Sequence, residues 1–174
     1  MARVMKVQKS EAIAHFQYEG RLIKDEPFGN GHINDTFLLT LELNKMGRMK
    51  AILQRMNNSI FEEPVQLMEN IMGVTDFLRE KIAAAGGYPT RETLSVIPAV
   101  DGKPYYKDSF GDYWRSYIFI TDATSFDQVE RPEQFYQSGV AFGNFQRMLA
   151  DYPADTLFEV IKGFHDTKAR LEVF

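Results

Sequence analysis

The feature that most constrains the fold is a change of hydrophobic period near Asn57. Before it, three segments have the composition of strands and are separated by glycine-containing turns; they cover residues 21–28, 33–43 and 49–56. After it, mostly apolar residues recur at three- and four-residue steps behind a proline suited to a first helical turn: Pro64, Met68, Ile71, Thr75, Leu78 and Ile82. Gly86 and Gly87 end this pattern. Hairpins followed by one long helix predict an α+β fold with an antiparallel sheet.

The rest of the chain repeats the sheet signal and then changes to helix. Strand patterns return over residues 94–100, 104–107 and 113–120. Helix patterns cover residues 10–16, where Ser10 is a candidate cap, and residues 132–150 and 156–164. Because the composition shifts near Thr121, we expect a sheet-rich unit over residues 1–121 and a linker with helices over residues 122–174.

Composition narrows the classes of function. The 174 residues include no cysteine, which excludes disulfides and thiolate sites. The net charge of −4 and the lack of a basic run argue against a nucleic-acid partner. No segment approaches the ~20 apolar residues of a membrane span, and the N-terminus has no secretory pattern, so we expect a soluble cytoplasmic protein.

The connection after the first predicted strand is glycine-rich. It contains Gly29, Asn30, Gly31 and His32, and Asn34 follows. Closely spaced glycines let backbone amides approach phosphate oxygens, and a glycine-rich hairpin covers the phosphates in kinase-like folds. The alternative is an ordinary tight hairpin turn, for which Asn-Gly is a common choice.

The third predicted strand ends in two polar residues, Gln54 and Arg55. A kinase carries a phosphate-binding lysine on its third strand, and here the candidate position holds Gln54. Neighbours on a strand face opposite ways, so only one of the two can point at the phosphates. Glu69 on the next helix is a candidate partner for Arg55. The alternative is that Gln54 and Arg55 are simply polar residues of the strand.

A hydrophobic strand enters the predicted linker at Phe119, Ile120 and Thr121. In kinases such a segment seats the adenine, while a core strand would have the same periodicity. Further on, His165 and Asp166 form a pair in which a carboxylate can orient an imidazole. No nucleophile or oxyanion motif accompanies this pair, so a complete small enzyme built on it is the weakest hypothesis.

Six segments carry a resemblance to a known family: PFGNGHINDTF, ILQRMN, LMEN, WRSYIFI, AFGNFQ and FHDT. Together they resemble the bacterial N-acetylhexosamine 1-kinases, within the aminoglycoside phosphotransferase and choline kinase superfamily, and their order and gaps fit over nearly the whole chain. The resemblance implies a protein-kinase-like N-terminal lobe followed by the first helices of a C-terminal lobe. It also implies ATP and Mg²⁺ as cofactors, and phosphoryl transfer to a sugar, at the anomeric hydroxyl of an N-acetylhexosamine.

The same resemblance implies which residues take part. The nucleotide contacts fall on Gly29, Asn30, Gly31, His32, Asn34, Gln54, Phe119, Ile120 and Thr121. The catalytic aspartate and the metal ligands are expected beyond the end of this chain, so we expect no catalytic or metal-binding residue within it and no activity from these 174 residues alone. The alternative is a kinase-like module without enzymatic activity that binds a ligand or a partner. The aromatic face of the 132–150 helix leads us to expect self-association.

Overall fold

The computed structural model describes residues 2–43, 47–124, 126, 128–164 and 166–173. Its strands are β1 (Arg21–Pro27), β2 (Asp35–Leu43), β3 (Gly47–Arg55), β4 (Val96–Ile97), β5 (Tyr106–Lys107) and β6 (Tyr113–Ile118). Its helices are α1 (Ala2–Ala14), α2 (Pro64–Ala84), α3 (Pro89–Glu92), α4 (Pro132–Met148) and α5 (Thr167–Leu171), with a 3₁₀ turn at Ala154–Thr156. The predicted α+β fold, an antiparallel sheet with one long helix, is confirmed.

The six-stranded sheet has the order β1-β2-β3-β6-β4, and β5 pairs with β6. Every strand pair is antiparallel. The register places Thr36 opposite Gln54, and Gln54 opposite Arg115 on β6. These three residues therefore form one row across the middle of the sheet.

Successive residues alternate between the two faces of the sheet, and one face forms the main core. Leu39, Leu53 and Trp114 are fully buried there, and Ala12 and Phe16 from the α1 region complete the cover. Burying a side chain such as Leu contributes roughly 1.5–3 kcal/mol. The face that carries Leu53 and Trp114 and packs against α1 is called the α1 face. The opposite side, which carries Gln54 and Arg115, is called the Gln54 face below.

Helix α2 follows the predicted stripe. Pro64 begins the helix, and the buried residues are Pro64, Met68, Thr75, Leu78 and Ile82. The helix ends as expected, because Gly86 has a φ of 76° and the Gly87 N–H donates to the carbonyl of Ile82. Further along the chain, Phe158 exchanges two hydrogen bonds with Asn70 of α2, which fixes the later segment against this helix.

Several predicted elements were wrong in extent. Helix α1 begins well before residue 10, so Ser10 is not its cap and instead donates from Oγ to the carbonyl of Lys6. β4 is only two residues long, and β6 ends at Ile118 rather than at Ile120. The predicted turn at residues 44–47 lies largely outside the described residues.

The helix predicted over residues 156–164 is also wrong. A 3₁₀ turn at Ala154–Thr156 and irregular chain replace it. Helix α5 follows, with Asp166 at its N-cap accepting from the N–H of Ala169. The apolar residues in the predicted stretch do not reach a core: Leu157, Phe158 and Phe164 are all exposed.

Helix α4 lies where its pattern predicted it but buries none of its residues. Phe135 and Phe142 are exposed by 73% and 69%. No helix among the described residues combines the length and apolarity that crossing a membrane requires. The division into units at residues 1–121 and 122–174 stays a prediction.

Candidate nucleotide site

The glycine-rich connection is longer than a tight turn. The ladder between β1 and β2 closes with the Phe28 N–H donating to the carbonyl of Thr36 at 2.9 Å, and residues 28–34 form an irregular loop. Gly29 has a φ of 81°, in the region that favours glycine. Gly29, Asn30, Gly31 and His32 are all exposed. The tight Asn-Gly hairpin turn is therefore wrong. The amides of these four residues donate no hydrogen bond within the described part of the chain.

Phe28, at the start of this loop, contacts Phe119, the first residue after β6. Their ring centroids are 5.4 Å apart and the planes meet at 85°, an edge-to-face arrangement that stabilises aromatic pairs. The Phe119 N–H donates to the carbonyl of Lys50 at 3.0 Å, so the β3–β6 pairing extends to this residue. Lys50 Nζ lies 5.9 Å from the centre of the Phe119 ring. Two segments predicted separately to hold a nucleotide thus meet.

Ile120 and Thr121 leave the sheet and enter the connection to α4. Ile120 is mostly buried, and its backbone N–H and C=O make no hydrogen bond within the described part of the chain. The Thr121 carbonyl accepts from Arg91 Nη2 at 3.1 Å, and Asp122 follows with a φ of 57°. Helix α3, which sequence patterns missed, thus supplies a side chain that holds this turn.

Gln54 and Arg55 point to opposite faces, as their neighbouring positions require. On the Gln54 face, Gln54 Nε2 donates to Thr36 Oγ1 at 2.9 Å and Gln54 Oε1 accepts from Arg115 Nε at 2.9 Å. The Gln54 amide is therefore held by its two cross-strand neighbours.

Arg55 lies toward the α1 face. Its Nη1 donates to Asp112 Oδ2 at 2.9 Å and its Nε donates to Asp35 Oδ2 at 2.8 Å. Burial acts to lower the pKa of Arg55, but the hydrogen bonds that it donates to Asp35 and Asp112 outweigh burial and raise the pKa. The predicted partner Glu69 is wrong, because two other carboxylates already hold the guanidinium.

Arg115 has a different environment from Arg55. It is mostly buried, its pKa is lowered chiefly by that burial, and no carboxylate among the described residues pairs with it. Its neighbour along the same face, Tyr117, has a pKa raised by burial. Sequence reasoning did not assign Arg115 to the site, although an arginine within the aromatic strand β6 was a signal for it.

A polar cavity of about 380 Å³ lies beside the loop, at the ends of β2 and β3. It brings His32 near the segment after β3, where the Asn57 N–H donates to Asn34 Oδ1 at 3.0 Å. Asn58 Oδ1 is buried there without a hydrogen-bond partner in the described protein. Sequence reasoning did not assign this segment to the site, although a polar Asn-Asn-Ser run directly after an apolar strand marks a strand end.

The predicted residues therefore fall in two places. Gln54 and Phe119 lie on the Gln54 face. His32 lines the polar cavity, Asn34 accepts from the Asn57 N–H beside it, and the loop connects the two places. His165 lies outside the described residues. Asp166 serves as the cap of α5.

No protein-family model matches this chain. Among solved structures, it is similar to the spectinomycin phosphotransferase APH(9)-Ia, whose crystal structure is in complex with ADP and spectinomycin. The identity is 11%, the TM-score is 0.47, and the similarity covers 87% of this chain and 39% of that one. This chain therefore spans about two fifths of the length of that enzyme. The α+β architecture is established by the strand order of this chain and not by the similarity.

Proposed function

We propose that this chain is the nucleotide-binding part of an ATP-dependent small-molecule kinase. The observation that carries the proposal is the contact between Phe28 and Phe119, whose ring centroids are 5.4 Å apart. It joins the glycine-rich loop to the segment after β6. A kinase-type site needs both parts: apolar groups and free backbone groups for the adenine, and glycine amides for the phosphates.

In this proposal the adenine lies beside Phe119, with the free backbone groups of Ile120 and the N–H of Thr121 as hydrogen-bonding groups. The exposed loop residues Gly29, Asn30, Gly31 and His32 lie over the phosphates. Asn34 positions the end of that loop through its bond to the Asn57 N–H. Gln54 lies below, in the row that also holds Arg115.

The finer proposal concerns the acceptor. ATP supplies the phosphoryl group, and we propose a sugar hydroxyl, the anomeric one of an N-acetylhexosamine, as the group that receives it. The support is the resemblance of the loop, the third strand and the β6 segment to those kinases.

At the two places described above, no donor set among the described residues fits Mg²⁺. Within the described residues, no group of three or more His, Cys, Asp and Glu side chains is placed to hold a metal ion. Asp35 and Asp112, the acidic residues at the polar cavity, are both bonded to Arg55. No metal-dependent step is therefore assigned to these residues.

The test is a titration of isotopically labelled protein with ADP and, separately, with adenosine, followed by NMR. We expect both ligands to shift the amide signals of Phe119, Ile120 and Thr121, and ADP alone to shift those of Gly29 and Gly31. Phe28→Ala is expected to weaken binding of both ligands. Phe110→Ala, which removes an equally large exposed ring from the β5–β6 turn, is the matched control and should not.

Shifts confined to other residues would contradict the nucleotide site. Nucleotide binding by a longer protein that contains this chain, without ADP formation in the presence of N-acetylhexosamines, would favour the non-enzymatic module instead. That the 174 residues alone do not transfer phosphate stays a prediction, checked against a heat-inactivated control.

A further inference from the structure

The Gln54 face lacks a cation at the position where a kinase carries its third-strand lysine. Gln54 is neutral, and the adjacent Arg55 points to the other face, where Asp35 and Asp112 neutralise it. On β3 the nearest cation of the same face is Lys50, four positions away and beside the Phe119 ring. An anionic group next to Gln54 therefore draws its positive charge from another strand.

Arg115 lies directly across from Gln54 on the adjacent strand β6. Residues paired in this way have Cβ atoms roughly 5 Å apart and project on the same face. Its Nε donates to Gln54 Oε1 at 2.9 Å, which fixes the orientation of the guanidinium. The N–H groups on Nη1 and Nη2 have no protein acceptor among the described residues, and they form the fork that matches phosphate oxygens.

The environment of Arg115 favours a bound anion. Its Nη1 and Nη2 atoms reach solvent, so a ligand can contact them. A mostly buried charge without a counter-ion is unfavourable, and burial already lowers its pKa. The other guanidinium in this region, that of Arg55, has two carboxylate partners. The contrast indicates that Arg115 is left unpaired for a ligand.

The spacing along β6 fits a nucleotide. Arg115, Tyr117 and Phe119 occupy every second position and therefore point to the same face. Phe119 contacts Phe28 at the start of the glycine-rich loop. Four residues of extended chain separate Arg115 from Phe119, roughly 13 Å. An extended nucleoside diphosphate whose base lies beside Phe119 directs its phosphates along this strand.

We propose that Arg115 is the phosphate-binding cation of this site, taking from the adjacent strand the place of the third-strand lysine, with Gln54 as the residue that positions it. This inference rests on the proposed function for its ligand, a nucleoside di- or triphosphate. It assigns Arg115 a contact with the phosphates and not with the base.

The test compares Arg115→Gln with Arg21→Gln in calorimetric titrations. Arg21 is an exposed arginine of β1 paired with Glu42, so its variant removes the same charge far from the proposed contact. We expect Arg115→Gln to weaken ADP binding about tenfold to a hundredfold, the range of one charge-assisted contact, and to leave adenosine affinity within about twofold. Arg21→Gln should leave both unchanged. Arg115→Lys should fall between, because it keeps the charge but loses the fork.

Equal losses for ADP and adenosine, or unchanged ADP affinity, would overturn the assignment. Folding of each variant is checked by the fluorescence of Trp114, the sole tryptophan. If Arg115→Gln does not fold, Arg115→Lys takes its place. Weaker ADP binding with unchanged adenosine binding then supports the assignment, and equal losses or unchanged ADP binding overturn it.

A second measurement separates this inference from the proposed function. If the parent chain binds neither ADP nor adenosine, the nucleotide proposal fails, and inorganic pyrophosphate then tests Arg115 alone. A rise in the thermal midpoint with pyrophosphate that is present in the parent and Arg21→Gln but absent in Arg115→Gln supports Arg115 as an anion site. No rise in the parent chain, or the same rise in Arg115→Gln, overturns it.

Discussion

Replacing Asp108 by alanine should be among the most damaging single changes in the described structure. Asp108 is 5% exposed and sits in the β5–β6 turn. Its Oδ2 accepts from Gln8 Nε2 at 3.0 Å and from Trp114 Nε1 at 2.8 Å, and its Oδ1 accepts from the N–H groups of Phe110 and Asp112, both at 2.9 Å. One carboxylate thus holds helix α1, the core tryptophan and its own turn.

The cost follows from the donors that alanine would leave. Trp114 is fully buried, so its indole N–H would lose its only acceptor without gaining water. Each such buried donor costs about 1–3 kcal/mol, whereas the turn amides can recover water and Gln8 keeps a bond to Asp112 at 2.7 Å. We expect a loss of about 2–4 kcal/mol in the free energy of unfolding, from the orphaned indole N–H together with about 1 kcal/mol for the lost bond from Gln8. For a chain of this size that corresponds to a fall of roughly 10 °C in Tm.

The assay is urea unfolding followed by far-UV circular dichroism, with Trp114 fluorescence as the local probe. Asp108→Asn keeps one acceptor oxygen and should lose less than Asp108→Ala. Asp101→Ala, in the exposed turn before β5, removes a carboxylate paired with Lys103 and should leave the midpoint unchanged. A stability of Asp108→Ala within about 1 kcal/mol of the parent would refute the argument that these bonds secure α1 to the sheet.

Three further predictions concern pH, association and the loop. The pKa of Glu11 is lowered by its hydrogen bonds from Ser109 and Tyr106. Its contribution to the free energy of unfolding is therefore present above the pKa of the unfolded chain and is lost as the pH falls through the lower pKa of the folded protein. Glu11→Gln should lower the urea midpoint at pH 7, and its difference from the parent should shrink near pH 3. Exposed apolar residues on α4 should drive dimers or larger species at micromolar concentration, lost when Phe142 and Phe145 are both changed to Ser; a monomer by light scattering in the parent chain would contradict this. In the proposed intact kinase, His32→Ala or Asn34→Ala should lower turnover, because Asn34 holds the loop to the Asn57 N–H. Unchanged kinetics for both variants would indicate that the loop only connects β1 to β2.

Local pattern was sufficient for much of the fold. The stripe of α2 and the first three strands follow from the period of apolar residues, because the geometry of a helix or strand fixes which positions share a face. The end of α2 at Gly86 also needed only local information, since its positive φ suits glycine. The separation of Gln54 and Arg55 onto two faces followed from the same alternation.

Tertiary structure decided which residues meet. Arg55 pairs with Asp112, which lies 57 positions away, and Gln8 reaches Asp108 across 100 positions. Such partners depend on the register of β3 with β6 and on the docking of α1, and no local period encodes either. The helix expected at residues 156–164 failed for the same reason: its apolar residues find no core to stabilise a helix, and short isolated helices are marginal in water. The place of Arg115 beside Gln54 likewise appeared only when two strands distant in sequence were paired.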